Sequence, residues 1–194
     1  MLFFRAYFVF SYNINSPVNF NPDYDIICLI KNTNFYCGGN SMIVDDIRFA
    51  MEYIEEMTKN LGDKLCKKDY YIEDGGCPHC QPHLPEGYAA IYIFVYGSET
   101  EYEFLKIGKA NAKSKARFSS QHYGFSAPST LAKSICEDKE FRLLGINKEN
   151  VKDWMLNNLH RINIYIKANQ GKAVTELAEA VLHYRYRPRF EGNI

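Results

Sequence analysis

The chain predicts an α/β (α+β) fold: a small antiparallel or mixed β-sheet flanked by helices, with a helical extension at the N-terminal side. Three observations carry that prediction. From Tyr88 to Tyr96, and again from Phe104 to Ile107, β-branched and aromatic residues follow one another on either side of the turn GSETEYE, which is the pattern of a hairpin. Ile43, Ile47, Ala50, Met51, Ile54, Met57 and Leu61 recur at three- and four-residue steps and lay one apolar stripe along a helix. A second helical segment, AVTELAEAVLHYRY, follows the strand-like RINIYIK and is ended by Pro188.

The 194 residues fit one core with an appendage better than two full domains, and 46% hydrophobic with 15% aromatic residues suffices to build that core. No apolar run approaches the roughly 20 residues of a membrane-spanning helix, so no membrane partner is expected. The opening MLFFRAYFVF is apolar but short and lacks a small-residue cleavage site, which reads as a strand rather than a signal peptide. Without an export signal the six cysteines are expected in a reducing compartment, the cytoplasm, where metal ligation or burial prevails over disulfides.

Along the chain, residues 1–41 form a poorly defined N-terminal arm, with β-like stretches at Leu2 to Phe10 and Ile26 to Ile30 around the turn-prone NINSPVNFNPD. Met42 opens a clean helix, so a start at Met42 is one reading of what precedes it and a weakly ordered arm is another. Residues 42–87 are expected to be an accessory helix, stopped at Gly62, and a Cys/His-rich loop that serves substrate choice or self-association. In that loop Cys77 and Cys80 stand two residues apart and can turn onto one ion, with Cys66 and His83 completing a tetrahedral Cys3His zinc site. A turn with free thiols and a redox dithiol are the other readings, the latter without a surrounding βαβ pattern. Cys28, Cys37 and Cys136 stand alone and read as packing residues.

Residues 88–194 hold the rest. After the hairpin, Ala112 to Gln121 reads as a basic helix and Ser129 to Cys136 as another, with Pro128 near its start. The segment NKENVKDWMLNNLH puts Val151, Trp154, Met155 and Leu159 on one side of a third helix before RINIYIK. Asn169, Gln170 and Gly171 then make the turn into the final helix.

The formal net charge is zero, yet the charge is unevenly spread. Between Leu105 and Tyr123 the charged residues are Lys106, Lys109, Lys113, Lys115 and Arg117, with no acid among them, and Arg185, Arg187 and Arg189 form a second basic cluster. Acids gather instead at Asp45, Asp46, Glu52, Glu55 and Glu56. A neutral chain arranged this way can present a local cationic surface to phosphates, with Lys113, Lys115, Arg185 and Arg187 as contacts to nucleic acid; the plainer reading is a solvated helix face.

The triplets Ala90-Ile91-Tyr92 and Lys106-Ile107-Gly108, followed in order by Lys109, Arg117, His122 and Glu179, resemble the pattern of the GIY-YIG nuclease superfamily. Ala90-Ile91-Tyr92 occupies the first triplet and Lys106-Ile107-Gly108 the second, on adjacent strands of a hairpin. Lys109 follows the second triplet, Arg117 lies on the succeeding helix, and His122 comes shortly after, one residue further on than an RxxxH spacing. Leu177 to Pro188 resembles the closing helix, where Glu179 matches the metal-binding glutamate. The resemblance covers roughly residues 88–193, with a longer helical insertion between the second and third strands than minimal members have, and nothing before Gly87. It departs from the pattern at Ala90, which replaces a glycine, and at Lys106, which replaces a tyrosine. It implies a metal-dependent DNA endonuclease using Mg2+ or Mn2+.

Phosphodiester hydrolysis needs a deprotonated water, neutralised phosphoryl oxygens and help for the departing oxyanion. Glu179 would hold the metal; Arg117 can fork onto the scissile phosphate, and Lys109 can stabilise phosphate or leaving-group charge. Tyr92 would accept the water's proton if a nearby cation or the metal lowers its pKa, and Lys106 would be such a cation. His122 reads as catalytic, structural or a backbone contact. Glu176, one turn before Glu179, can simply complement the helix dipole. Two further readings stay open: an inactive nucleic-acid-binding module of the same fold, and a zinc-organised interaction protein centred on the loop from Cys66 to His83.

Overall fold

The apolar stripe that begins at Ile43 becomes α1 (Met42–Asn60), burying Ile43, Val44, Ile47, Ala50, Met51 and Ile54 on one side. The stripe is shorter than the sequence suggests. Met57 is half-buried, and Leu61 lies beyond the last helical residue and is 72% exposed, because the chain turns away at Gly62, whose φ of +92° suits a residue without a Cβ. The structure is a computed structural model and describes residues 42–62, 65–98, 101–128 and 130–190. The β-like stretches at Leu2 to Phe10 and Ile26 to Ile30, with Cys28 and Cys37, lie outside the described residues.

Four strands follow: β1 (Tyr70–Asp74), β2 (Tyr88–Gly97), β3 (Tyr102–Ala110) and β4 (Leu159–Lys167). They form one sheet in the order β1-β4-β2-β3, and every neighbouring pair is antiparallel. The hairpin and the RINIYIK strand are therefore as expected, while β1 was not anticipated inside the Cys/His-rich loop. The segment 42–87, expected as an accessory module, thus supplies the strand that pairs with β4, and α1 enters the same core as the sheet.

Between β3 and β4 lie α2 (Lys115–Ser119), a 3-10 turn (Gln121–Tyr123), α3 (Leu131–Glu137), α4 (Lys139–Leu143) and α5 (Val151–Asn158). The basic helix expected over Ala112 to Gln121 is accordingly cut to five residues, with His122 on the turn after it. Thr130 caps α3 by accepting from the Lys133 backbone N–H, and Asp138 caps α4 by accepting from Glu140 and Phe141. The last helix, α6 (Lys172–Tyr186), ends at Arg187 in the left-handed conformation, just before Pro188.

The sheet is buried on both faces. On one face α1 and α6 pack Ile47, Ile54, Val174, Ala178 and Leu182 against Ile91, Ile93, Ile162 and Ile164. On the other, α2 to α5 bring Phe118, Leu131, Ile135, Phe141 and Met155 against Tyr92, Phe94, Leu159 and Tyr165. No helix among the described residues is long and apolar enough to cross a membrane.

β3 is an edge strand, and its outer side is partly covered. The Arg189 and Phe190 backbone N–H groups donate to the carbonyls of Phe104 and Leu105, and His183 Nε2 donates to the carbonyl of Ile107 at 3.0 Å. The register slips between Phe94 and Val95: Phe94 faces Lys106 while Val95 faces Phe104, which leaves Leu105 as the extra residue of a bulge. A bulge re-aims the side chains beside it. Here it puts Leu105 into the core on the side of α2 to α5 and leaves Lys106 lining a pocket with Tyr92.

Candidate functional site

Tyr92 stands opposite Gly108 across the β2–β3 ladder, and its ring lies over the glycine. A Cβ built at residue 108 would sit 2.4 Å from the Tyr92 hydroxyl oxygen and 2.6 Å from the carbon that bears it. The glycine of the second triplet is therefore required by the tyrosine of the first: only a residue with no side chain lets the ring cross the edge strand.

Beyond Gly108 the pocket opens. It has a volume of about 370 Å3 and is lined by Tyr92, Lys106, Gly108, Arg117, His122 and Glu179, with Pro128 and His183 at its rim. Because β3 is the edge, side chains from helices on opposite faces of the sheet, Arg117 of α2 and Glu179 of α6, meet around it. Glu179 is paired with the Lys109 ammonium, which also lies 3.8 Å from Glu176. Five residues expected at the site thus line one pocket, and Lys109 joins it through Glu179.

The Tyr92 hydroxyl oxygen lies 2.6 Å from His122 Nε2, and Arg117 Nε donates to it at 3.5 Å. His122 Nδ1 is buried with no hydrogen-bonding partner. An unpartnered buried lone pair costs less than an unpartnered buried N–H, which places the ring proton on Nε2. Nε2–H then donates to the phenol oxygen, which also accepts from Arg117 Nε.

Burial pushes the His122 pKa down to about 3, reinforced by the nearby charges of Lys106, Arg117 and Arg161, so the ring is neutral. Burial also holds Tyr92 above its ordinary value despite the opposing pull of Arg117. A lowered phenol, the condition under which Tyr92 would take the water's proton, is thus not what its surroundings produce. Lys106 is 7% exposed, and burial, then the charge of Arg117, lower its pKa.

Under the pocket lies a polar network that the sequence reading did not single out. Arg161 of β4 is 1% exposed, and its guanidinium spends its donors on three neighbours: Asn163 Oδ1 at 3.0 Å, the Tyr123 hydroxyl at 2.8 Å and the Phe118 carbonyl at 2.8 Å. The rings of Phe94, Phe118 and Tyr123 surround it. Tyr123 passes its own hydrogen to His79 Nε2 at 2.7 Å, and His79 Nδ1–H donates to the Leu159 carbonyl at 2.7 Å. On the other side Asn163 donates to Glu73, which also accepts from Tyr165. Arg161 is thereby tied to the residues next to both Arg117 and His122. The signal was the alternation of Arg161, Asn163 and Tyr165 on one face of an otherwise isoleucine-rich strand.

The remaining site residues are not brought to the pocket. Lys113 lines a separate hollow beside Ser114 and Lys172, and Lys115 is exposed on α2. Arg185 is paired with Asp46 at 2.5 Å and lies over the Phe49 and Tyr186 rings, while Arg187 lies over Tyr184. The Cys3His zinc site is not assembled either. Cys77 is buried with its thiol directed at the Asn157 carbonyl, Cys66 precedes β1, and Cys80 and His83 are exposed. Among the described residues no group of three or more His, Cys, Asp or Glu side chains is arranged to hold a metal ion. His79 anchors this loop to β4 through the Leu159 carbonyl.

Compared with protein-family models, with curated proteins and with solved structures, the chain finds no match in any of the three.

Proposed function

We propose that this protein is a metal-dependent endonuclease that hydrolyses DNA phosphodiester bonds at the pocket on the edge of β3. The observation that carries the reading is the convergence of Tyr92, Lys106, Arg117, His122 and Glu179, scattered over 88 positions of sequence, around one solvent-facing pocket of about 370 Å3. Glu179 offers the hard carboxylate oxygens that Mg2+ or Mn2+ take, usually with substrate phosphate and water completing the set, so the residue fits the ion the resemblance implies. When bound there, the ion would neutralise charge on the phosphate oxygens.

The chain's own residues account for the rest. Arg117 remains a cation at any working pH and can fork onto the scissile phosphate beside Tyr92. The Tyr92 hydroxyl, itself held by His122, accepts from Arg117 Nε and so steadies that guanidinium at the wall of the pocket, beside where the phosphate would sit. Lys106, with its pKa lowered, is the group best suited to take that water's proton, which gives the lysine in place of the second tyrosine a definite task. Lys109, paired with Glu179 and near Glu176, would be released toward the departing oxyanion when an ion takes the Glu179 carboxylate.

The test is plasmid nicking with Mg2+ or Mn2+, comparing the wild type with Glu179→Ala and Arg117→Ala. Loss of cutting in both variants by two orders of magnitude or more is expected; equal cutting by all three proteins sinks the assignment.

A further inference from the structure

Next to the catalytic pocket lies a larger groove of about 620 Å3, built mostly from the insertion between β3 and β4. The two share Ala127 and Pro128 as a common wall, so a chain leaving one can pass over that ridge into the other. Three cations line the groove, Lys133, Arg142 and Lys148, against one acid, Glu137. Glu137 is 3.9 Å from Lys133 on the same helix, whereas Arg142 and Lys148 are paired with no carboxylate among the described residues. Beside them Phe125 is 41% exposed, with the Lys148 ammonium 5.8 Å from its ring centroid.

An exposed aromatic ring among cations, continuous with a phosphate-cleaving pocket, matches one ligand chemistry: a polynucleotide strand whose base lies on the ring and whose phosphates meet the cations. A duplex offers such a groove its phosphates but keeps its base faces stacked inside; only an unpaired base can reach Phe125. We propose that this groove holds the unpaired DNA strand that flanks the bond being cut, with one base stacked on Phe125 and its neighbouring phosphates on Lys148, Arg142 and Lys133. The proposal rests on the nuclease reading and extends it: the substrate is single-stranded, flapped or otherwise unpaired on one side of the scissile phosphate.

The experiment uses the full chain and two probes, a fluorescein-labelled oligothymidylate of about a dozen nucleotides and a duplex of the same length. Binding is measured by anisotropy without divalent metal, and cleavage of the same probes with Mg2+ or Mn2+. The strand should bind more tightly than the duplex, Phe125→Ala should weaken strand binding about tenfold, and Phe125→Trp should retain it. Lys148→Ala should flatten the salt dependence of binding by roughly one counterion, with circular dichroism confirming that each variant is folded. If wild type cleaves while Phe125→Ala and Lys148→Ala bind the strand as it does, the groove is refuted and the nuclease reading stands. If the strand is held through Phe125 but no cleavage occurs in either metal, the groove stands and the cleavage reading falls.

Discussion

Gly108 and Lys106, two residues apart on the edge strand, carry opposite kinds of constraint. At Gly108 the constraint is space. A methyl group there overlaps the Tyr92 ring by about an ångström, and the ring is wholly buried with its hydroxyl fixed by His122, so it has no room to withdraw. Gly108→Ala should therefore destabilise the fold by about 1–3 kcal/mol and cut nicking about a hundredfold by displacing the hydroxyl, checked by thermal unfolding alongside the plasmid assay. At Lys106 the constraint is the proton. Its pKa is lowered by burial and by Arg117, so the neutral amine forms as pH rises toward a value below the ordinary 10.5, and nicking should rise with it. Lys106→Arg keeps the cation but cannot give up a proton. It should lose the rising limb of the pH profile and about 10²-fold or more of the rate; a variant that cuts like the wild type with the same profile would show that Lys106 acts through charge alone. Both residues were legible as letters of a motif. What the sequence could not convey was the bulge at Leu105, because a register slip depends on how two strands pair and leaves no mark in either strand alone.

At the scale of elements, the strands built from long β-branched and aromatic runs were readable and those defined by their partners were not. β2 and β4 announce themselves through runs of Ile, Val, Tyr and Phe. β1 is only YYIED, five residues with the polar Glu73 and Asp74 in them, and becomes a strand because β4 offers it an edge. Once paired, Glu73 serves Asn163 and Tyr165, and through Asn163 it balances the buried charge of Arg161. The short α2 and the 3-10 turn after it, too brief to hold themselves in place, are pinned by Arg161 through the Phe118 carbonyl and the Tyr123 hydroxyl. Arg161 is thus a positioning residue for Arg117 and His122. Arg161→Lys keeps the charge but cannot reproduce three divergent donors in a plane. It should cost about 3 kcal/mol of stability, since it leaves a buried charge poorly satisfied, and should lower kcat more than it raises KM. The check is denaturant unfolding together with steady-state cleavage; unchanged stability would show that the network does not hold these elements.

At the scale of the whole molecule, two neutral histidines join the sheet to the insertion that covers it. His79 clamps the loop after β1 to β4 and Tyr123, and His122 braces Tyr92 from the 3-10 turn. Burial is the first cause of depression at both, carrying His79 down to about 4 and His122 down to about 3 from an ordinary value of 6.5. The sign follows from proton binding. Between pH 6.5 and 4 the unfolded chain takes up protons at both positions that the folded chain refuses, so the unfolded state is favoured progressively as pH falls through that window. At roughly 1.4 kcal/mol per pKa unit, the stabilisation lost is on the order of 3 kcal/mol for each residue, a large share of the ordinary margin of a domain. The melting temperature should therefore be nearly flat from pH 7 to 8 and drop steeply between pH 6 and 4. His79→Gln and His122→Gln should each start from a lower melting temperature at pH 7 yet lose less of it on acidification. Measurement of melting temperature against pH for the three proteins decides the point: a wild-type curve parallel to both variants would show that neither buried ring controls acid unfolding.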